Sequence, residues 1–118
     1  MSVESLVTLL RCHQFQFASE LELQDGIAQV LAGAPAFEGT SREHRLGKDR
    51  VDFFWSGVAI EVKVGGSLSA VVRQLYRYAR SPDVCSIVLV TSRVMHARMP
   101  DHMCDKPVRV VVLRTGAF

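Results

Sequence analysis

The chain has 118 residues, 48% of them apolar and 22% charged, with fourteen bases against twelve acids for a formal net charge of +2. That length suits one domain over residues 1–118, and the composition is that of an ordinary globular protein, which excludes disordered and collagen-like classes. No apolar run approaches the roughly 20 residues of a membrane-spanning helix, and Leu6–Leu10 lacks the basic lead and small-residue cleavage site of a signal peptide, so neither a membrane partner nor secretion is expected.

The charge is unevenly spread. Residues 1–37 hold Glu4, Glu20, Glu22 and Asp25 against Arg11 alone, whereas the remainder holds thirteen bases against eight acids. Such asymmetry permits a nucleic-acid face on the later two-thirds without requiring one. Cys12, Cys85 and Cys104 are odd in number and widely spaced. That disfavours a disulfide framework or structural zinc and suits a reducing cytoplasm. Cys85, inside the apolar run Val84–Val90, is expected to be a small buried hydrophobe.

Segments Ser2–Cys12 and Ser19–Ala32 read as helices. In the second, Leu23, Ile27, Val30 and Leu31 recur at helical spacing, Ser19 with Glu22 fits a capping box, and Gly33 with Pro35 supplies the stop. His13–Ala18, between them, alternates polar and aromatic residues as a short extended stretch would. From Phe37 the pattern turns β-like. Glu38–Arg45 is polar and β-permissive, Leu46–Asp49 holds a glycine turn, Arg50–Trp55 is a strand, Ser56-Gly57 a tight turn, and Val58–Val64 a third strand, together an antiparallel meander. Gly65-Gly66 breaks that strand, Ser67 or Ser69 caps a helix to about Arg80, and Pro82 ends it. Val84–Thr91 is apolar enough for a strand covered on both faces, and Val108–Leu113 is another such run. Ser92–Pro107 reads as irregular, with a helical turn near Val94–Met99. The order α-α-β-β-β-α-β-β predicts an α/β fold: a mixed, roughly five-stranded sheet flanked by helices, with the third and fourth strands parallel across a βαβ crossover.

Function shows where polar residues spoil a good apolar pattern. Asp52 lies between Val51 and Phe53, and Glu61 and Lys63 interrupt V-A-I-x-V-x-V two residues apart, on one face of the strand. Pairing around Ser56-Gly57 sets 55 against 58 and therefore 52 against 61, which makes two carboxylates cross-strand neighbours. A divalent cation would relieve the repulsion. Carboxylate oxygens without His or Cys favour magnesium or manganese over zinc. The plainer alternative is a surface Glu61–Lys63 ion pair with Asp52 on the open face of the sheet. Glu20 shares a helical stripe with Leu23 and Ile27 and is either a third ligand or a complement to the helix dipole, with Gln24 one turn on. On the crossover helix Gln74 and Tyr78 are i,i+4 neighbours, either a buried polar pair satisfied by backbone or part of a site. Arg73, Arg77 and Arg80 form a row that is either a solvated face or a phosphate rail.

Glu20 in E-L-E-L-Q, Asp52 in D-R-V-D-F, Glu61 and Lys63 in I-E-V-K-V, and Gln74 with Tyr78 in Q-L-Y-R-Y together resemble the PD-(D/E)XK nuclease superfamily, the restriction-endonuclease-like fold; the last element is similar to the Q-x-x-x-Y motif of RecB-like members. The resemblance runs from about Ser19 to Thr91, with Val51 where the family name has Pro. Small stand-alone members look like Holliday-junction resolvases, phage-type VRR nucleases, or restriction and repair nucleases, and this chain has no feature that selects among them. The resemblance implies a DNA endonuclease, structure-specific and dependent on Mg2+ (Mn2+ substituting), that hydrolyses phosphodiester bonds as a homodimer in the cytoplasm or nucleoid. It assigns Glu20, Asp52, Glu61 and the Val62 carbonyl to the metal, Lys63 to the attacking water or the charged phosphate, and Gln74 and Tyr78 to orienting Lys63 or holding a phosphate. Arg42, Arg45, Lys48, Arg50, Arg73 and Arg77 are the expected backbone contacts. A catalytically silent DNA-binding or assembly subunit of the same fold is the competing expectation. His44, His96 and His102 show no metal-ligand spacing, and His96 and His102, amid Met95, Met99 and Met103, are expected in a mobile or partner-covering loop.

Overall fold

The computed structural model describes residues 2–113. Its elements run α1 (Val3–Arg11), α2 (Glu20–Ala32), β1 (Ser41–Leu46), β2 (Asp49–Trp55), β3 (Val58–Lys63), α3 (Leu68–Ala79), β4 (Ser86–Thr91), β5 (His102–Met103) and β6 (Lys106–Val112), with 3₁₀ turns at Pro35–Phe37 and Val94–Arg98. Each α-helix starts where a serine hydroxyl takes an orphan N–H of the first turn: Ser2 accepts from Ser5, Ser19 from Glu22, and Ser67 from Ala70. The expected capping box of α2 closes one residue early, because the Glu22 carboxylate accepts from the Ala18 N–H at 2.6 Å rather than from Ser19. His13–Ala18 joins the helices without pairing as a strand.

The sheet is mixed and has six strands in the order β1-β2-β3-β4-β6-β5. The β1-β2-β3 meander is antiparallel, and β3 runs parallel to β4 across α3, both as the sequence predicts. β4 is also parallel to β6. The strand count corrects the expected five. The sixth, β5, is a two-residue piece of the segment read as irregular, and it pairs with β6 around Cys104-Asp105, whose φ angles of +51° and +61° make a tight turn without glycine. A strand of two residues has no alternation to read.

Alternation along β3 and β4 divides the apolar residues between two cores. Val58, Ile60, Val62, Val88 and Val90 meet α1 and α2, whereas Ala59, Ile87 and Leu89 meet α3 through Val71, Leu75 and Ala79. All six β4 residues are buried, as a strand covered on both faces requires. Each fully buried Leu or Ile stabilises the fold by roughly 1.5–3 kcal/mol. Helices therefore cover both faces, and β3 is anchored from both sides. Two expectations fail here. Cys85 is exposed rather than buried, because β4 begins only at Ser86 and Cys85 lies at the sheet end beside the β2–β3 turn, its N–H donating to the Gly57 carbonyl at 2.7 Å. His96, Met99 and Met103 are buried too, so that part of 92–107 packs on the fold instead of forming a free loop, and His102, though exposed, lies in β5 opposite Pro107 of β6. Among the described residues no helix is long and apolar enough to cross a membrane.

Candidate active site

The site begins with a turn. Ser56 and Gly57 both have positive φ (+48° and +81°), the geometry that matches the twist of a two-residue hairpin. It fixes the register Trp55↔Val58, Phe54↔Ala59 and Phe53↔Ile60, and there the backbone pairing of β2 with β3 stops. At the next rung, where the sequence sets Asp52 against Glu61, carboxylates replace carbonyls as acceptors. The Asp52 N–H donates to Glu61 Oε1 at 3.3 Å, and the Val62 N–H donates to Asp52 Oδ2 at 2.7 Å. The second is a short, charge-assisted bond. The N–H and C=O of one strand residue project to the same side, so the Val62 carbonyl also opens on this notch between the strands.

Glu61 is 3% exposed. Its Oε1 accepts from the Tyr78 hydroxyl at 3.1 Å as well as from Asp52, and its Oε2 accepts from Gln74 Nε2 at 3.0 Å with Lys63 Nζ 3.5 Å away. Gln74 also donates to the Tyr78 oxygen at 2.8 Å, so the i,i+4 pair on α3 acts as one clamp. The single Tyr78 proton has a second acceptor, the Arg50 carbonyl, at 3.1 Å. Gln74 and Tyr78 are therefore placed on Glu61, not on Lys63 as expected, because Glu61 is buried on the β3 face that α3 covers whereas Lys63 reaches toward solvent. The Glu61–Lys63 pair exists, but not at the surface: one partner is buried and the Lys63 side chain is 20% exposed.

From the other face α2 supplies two contacts. Gln24 Nε2 donates to Asp52 Oδ1 at 3.3 Å. Glu20, expected as a metal ligand, reaches the end of β3 and accepts from the Val64 N–H at 3.2 Å. Ser92, just past β4, holds the same stretch, its N–H donating to the Lys63 carbonyl and its hydroxyl to the Val64 carbonyl.

Burial dominates the protonation of the pair. It lifts Glu61 to about 7, the Asp52 charge adding to the rise while Lys63 and the bonds from Asp52 and Tyr78 oppose it. Asp52 is also raised, first by burial, against the Val62 hydrogen bond and the Lys63 charge, with Glu20 pushing further upward. The Tyr78 hydroxyl is pushed well above the ordinary phenol range by burial and by Glu61. The pair therefore holds a proton more tightly than ordinary carboxyls do, and a dication bound there would have to displace it. Among the described residues no three His, Cys, Asp or Glu side chains converge closely enough to enclose a metal by themselves. The oxygens that fit Mg2+ here are the carboxylates of Asp52 and Glu61 and the carbonyl of Val62, all hard donors.

The chain matches no known protein family, no curated protein and no solved structure. What the notch does rests on its own chemistry.

The six expected phosphate contacts separate. Arg42 binds Asp25 of α2 at 2.6 Å and lies 5.7 Å over the Phe53 ring, on the face away from α3. Arg50 pairs with Glu43 at 3.3 Å and Arg77 with Asp49 at 3.0 Å, all substantially exposed except Asp49. Arg45, Lys48 and Arg73 are exposed. Lys48 and Arg77 line, with Arg80, an open groove between the β1–β2 turn and the end of α3. His96 is the residue that sequence reasoning missed. It is fully buried, with Nδ1 2.7 Å from the Thr91 hydroxyl and Nε2 2.9 Å from the Gly66 carbonyl. A carbonyl only accepts, so the network assigns the proton to Nε2. The Thr91 oxygen accepts from the Arg93 N–H and gives its own proton to Nδ1. His96 thus ties the Gly65-Gly66 loop behind Lys63 to the end of β4. One histidine in an irregular segment carries no periodic signal of this.

Proposed function

We propose that the chain is a Mg2+-dependent DNA endonuclease of PD-(D/E)XK type, with a restriction-endonuclease-like core. The observation that carries the reading is the meeting of Asp52 and Glu61, from adjacent strands, at an open rung of the sheet with Lys63 Nζ 3.5 Å from Glu61. Mg2+ bound there would neutralise phosphodiester charge and make water a nucleophile near neutral pH. The protein's part is positioning and electrostatics. Tyr78 and Gln74 hold the Glu61 carboxylate in one orientation, and the Val62 N–H holds Asp52, so both ligands are preorganised. Lys63 brings an ammonium to the place where negative charge grows on the phosphate. Exposed Arg45, Lys48, Arg50, Arg73 and Arg77 suit contacts to the DNA backbone. Cutting both strands of a duplex would take two such sites and hence a homodimer.

The test is a panel of linear, nicked, flapped and four-way DNA with Mg2+ or Mn2+. Cleavage is expected from the wild type, and none in chelator or from Glu61→Ala. A second reading, a silent DNA-binding or assembly subunit, is favoured by one observation: all four oxygens of the two carboxylates already have protein partners. DNA binding without cleavage in either metal would establish a silent binder, and no DNA binding at low salt an assembly role.

A further inference from the structure

The rung that carries Asp52 is irregular on both of its strands. β1 and β2 pair as Arg42↔Phe53 and His44↔Val51, one frame throughout, yet the rung between them, Glu43 opposite Asp52, is unpaired. Glu43 has φ +52° in the middle of a strand, a left-handed conformation that an L side chain rarely adopts. A regular strand puts residues i and i+2 on one face. Here Val51 is buried in the α3 core and Phe53 in the α1–α2 core. β1 shows the same reversal: Arg42 lies over Phe53 and reaches α2, whereas His44 stacks on Phe54, which packs with the α3 core, at 4.4 Å and 9°. Between the two faces Asp52 is left to bridge the strands, its carboxylate on the Val62 N–H.

We propose that Glu43 is a positioning residue whose left-handed backbone breaks the pleat at one rung and so aims the Asp52 carboxylate into the notch beside Val62 and Glu61. Its side chain is not what acts. The Glu43–Arg50 ion pair is about 60% exposed on both partners, and such pairs contribute little. The conformation acts, and its energetics depend on the residue: Gly and Asn adopt it readily, Ala less so, and a β-branched side chain least. The competing role is protection of an edge strand, since a kink in β1 also deters pairing with another chain.

Naming Asp52 as a metal ligand rests on the function proposed above, but the decisive measurement uses neither metal nor DNA. It is amide hydrogen exchange at Val62 by NMR in Glu43→Val, Glu43→Ala, Glu43→Gly, Glu43→Asn and Glu43→Gln, with β4 amides as the reference for global opening. Relative to that reference, Val62 should exchange about tenfold or more faster in Glu43→Val and by a smaller factor in Glu43→Ala, while the Gly, Asn and Gln variants stay within about twofold of wild type. Mn2+ affinity, read by electron paramagnetic resonance, should fall in the same order. If Val62 follows the order while wild type binds no Mn2+, the positioning role stands and the metal reading fails. The proposal is overturned if Val62 stays protected in a folded Glu43→Val or Glu43→Ala protein. Loss of protection in Glu43→Gln equal to that in Glu43→Val would overturn it too, since charge and not conformation would then be responsible. So would self-association of Glu43→Val with Val62 still protected, the signature of edge protection alone.

Discussion

Raising the pH should weaken the metal-free protein across a window set by Glu61. In the unfolded chain this carboxyl titrates near 4.5, and in the fold at about 7, because burial and the Asp52 charge favour the protonated form. Between those values the fold keeps a proton that the unfolded chain has already released. The native state thus binds more protons, and stability falls as pH rises. At 1.36 kcal/mol per pKa unit the loss is about 3 kcal/mol, complete above pH 7, and the raised Asp52 adds in the same direction. For a domain of this size that is a fall of roughly 10–20 °C in Tm. The assay is urea and thermal unfolding in chelator from about pH 4.5 to 8, comparing wild type with Glu61→Gln. The difference between the two isolates Glu61 from other titrating groups, and Glu61→Gln should show a markedly flatter profile. Millimolar Mg2+ should offset the loss in wild type increasingly as pH rises, since a cation takes the deprotonated pair. Wild-type stability that rises with pH across this window, or a Glu61→Gln profile parallel to it, would refute the reasoning.

Three further outcomes follow from single contacts. Tyr78→Phe leaves the Gln74 amide and one Glu61 oxygen short of a buried partner and should cost about 1–3 kcal/mol in urea unfolding, while moving the Glu61 midpoint further upward because the hydroxyl bond favours the carboxylate. Under the proposed function, Lys63→Ala should slow single-turnover DNA cleavage by about 10²–10³-fold with DNA binding at low salt retained, a loss of charge stabilisation and not of affinity. Gly57→Ala should destabilise by about 1–3 kcal/mol, since φ is +81° and the new methyl would lie 2.9 Å from Cys85 Sγ; adding Cys85→Ala should recover part of the loss and leave the backbone strain, as equilibrium unfolding of the double variant would show.

The polar members of the site were legible because they interrupt patterns that physics otherwise keeps apolar. Asp52 in R-V-D-F-F-W, and Glu61 and Lys63 in V-A-I-E-V-K-V, stand out against their strands, and the Ser56-Gly57 turn sets their register before any coordinates are known. The Ser67 cap and the buried run of β4 give the crossover and its parallel pairing in the same way. What stayed hidden lacks a repeating pattern. β5 is too short to alternate, its Cys104-Asp105 turn has no glycine to mark it, and His96 finds Thr91 and Gly66 only after three segments meet. Cys85 misled for a related reason: an apolar neighbourhood in sequence does not say where the strand begins.

The gap that matters most lies at the centre of the site. Strict alternation puts Val51 and Phe53 on one face and Asp52 on the other, where it would meet Glu61 as one of two like charges side by side. The fold resolves the conflict by giving up the pleat for one rung. Val51 and Phe53 are then both buried, in different cores, and Asp52 gains the Val62 N–H that a regular ladder would have given to a carbonyl. Glu61 is meanwhile fixed by hydrogen-bond donors from two elements, Asp52 on β2 and Gln74 with Tyr78 on α3, with the Lys63 ammonium of its own strand 3.5 Å away. Hydrogen bonds this numerous favour the ionised carboxylate, yet burial and the neighbouring charge still hold its proton affinity high. Two carboxylates held in place by protein donors, with their proton affinity still raised, take a proton in the fold as it stands, and under the function proposed above a hard dication would take its place.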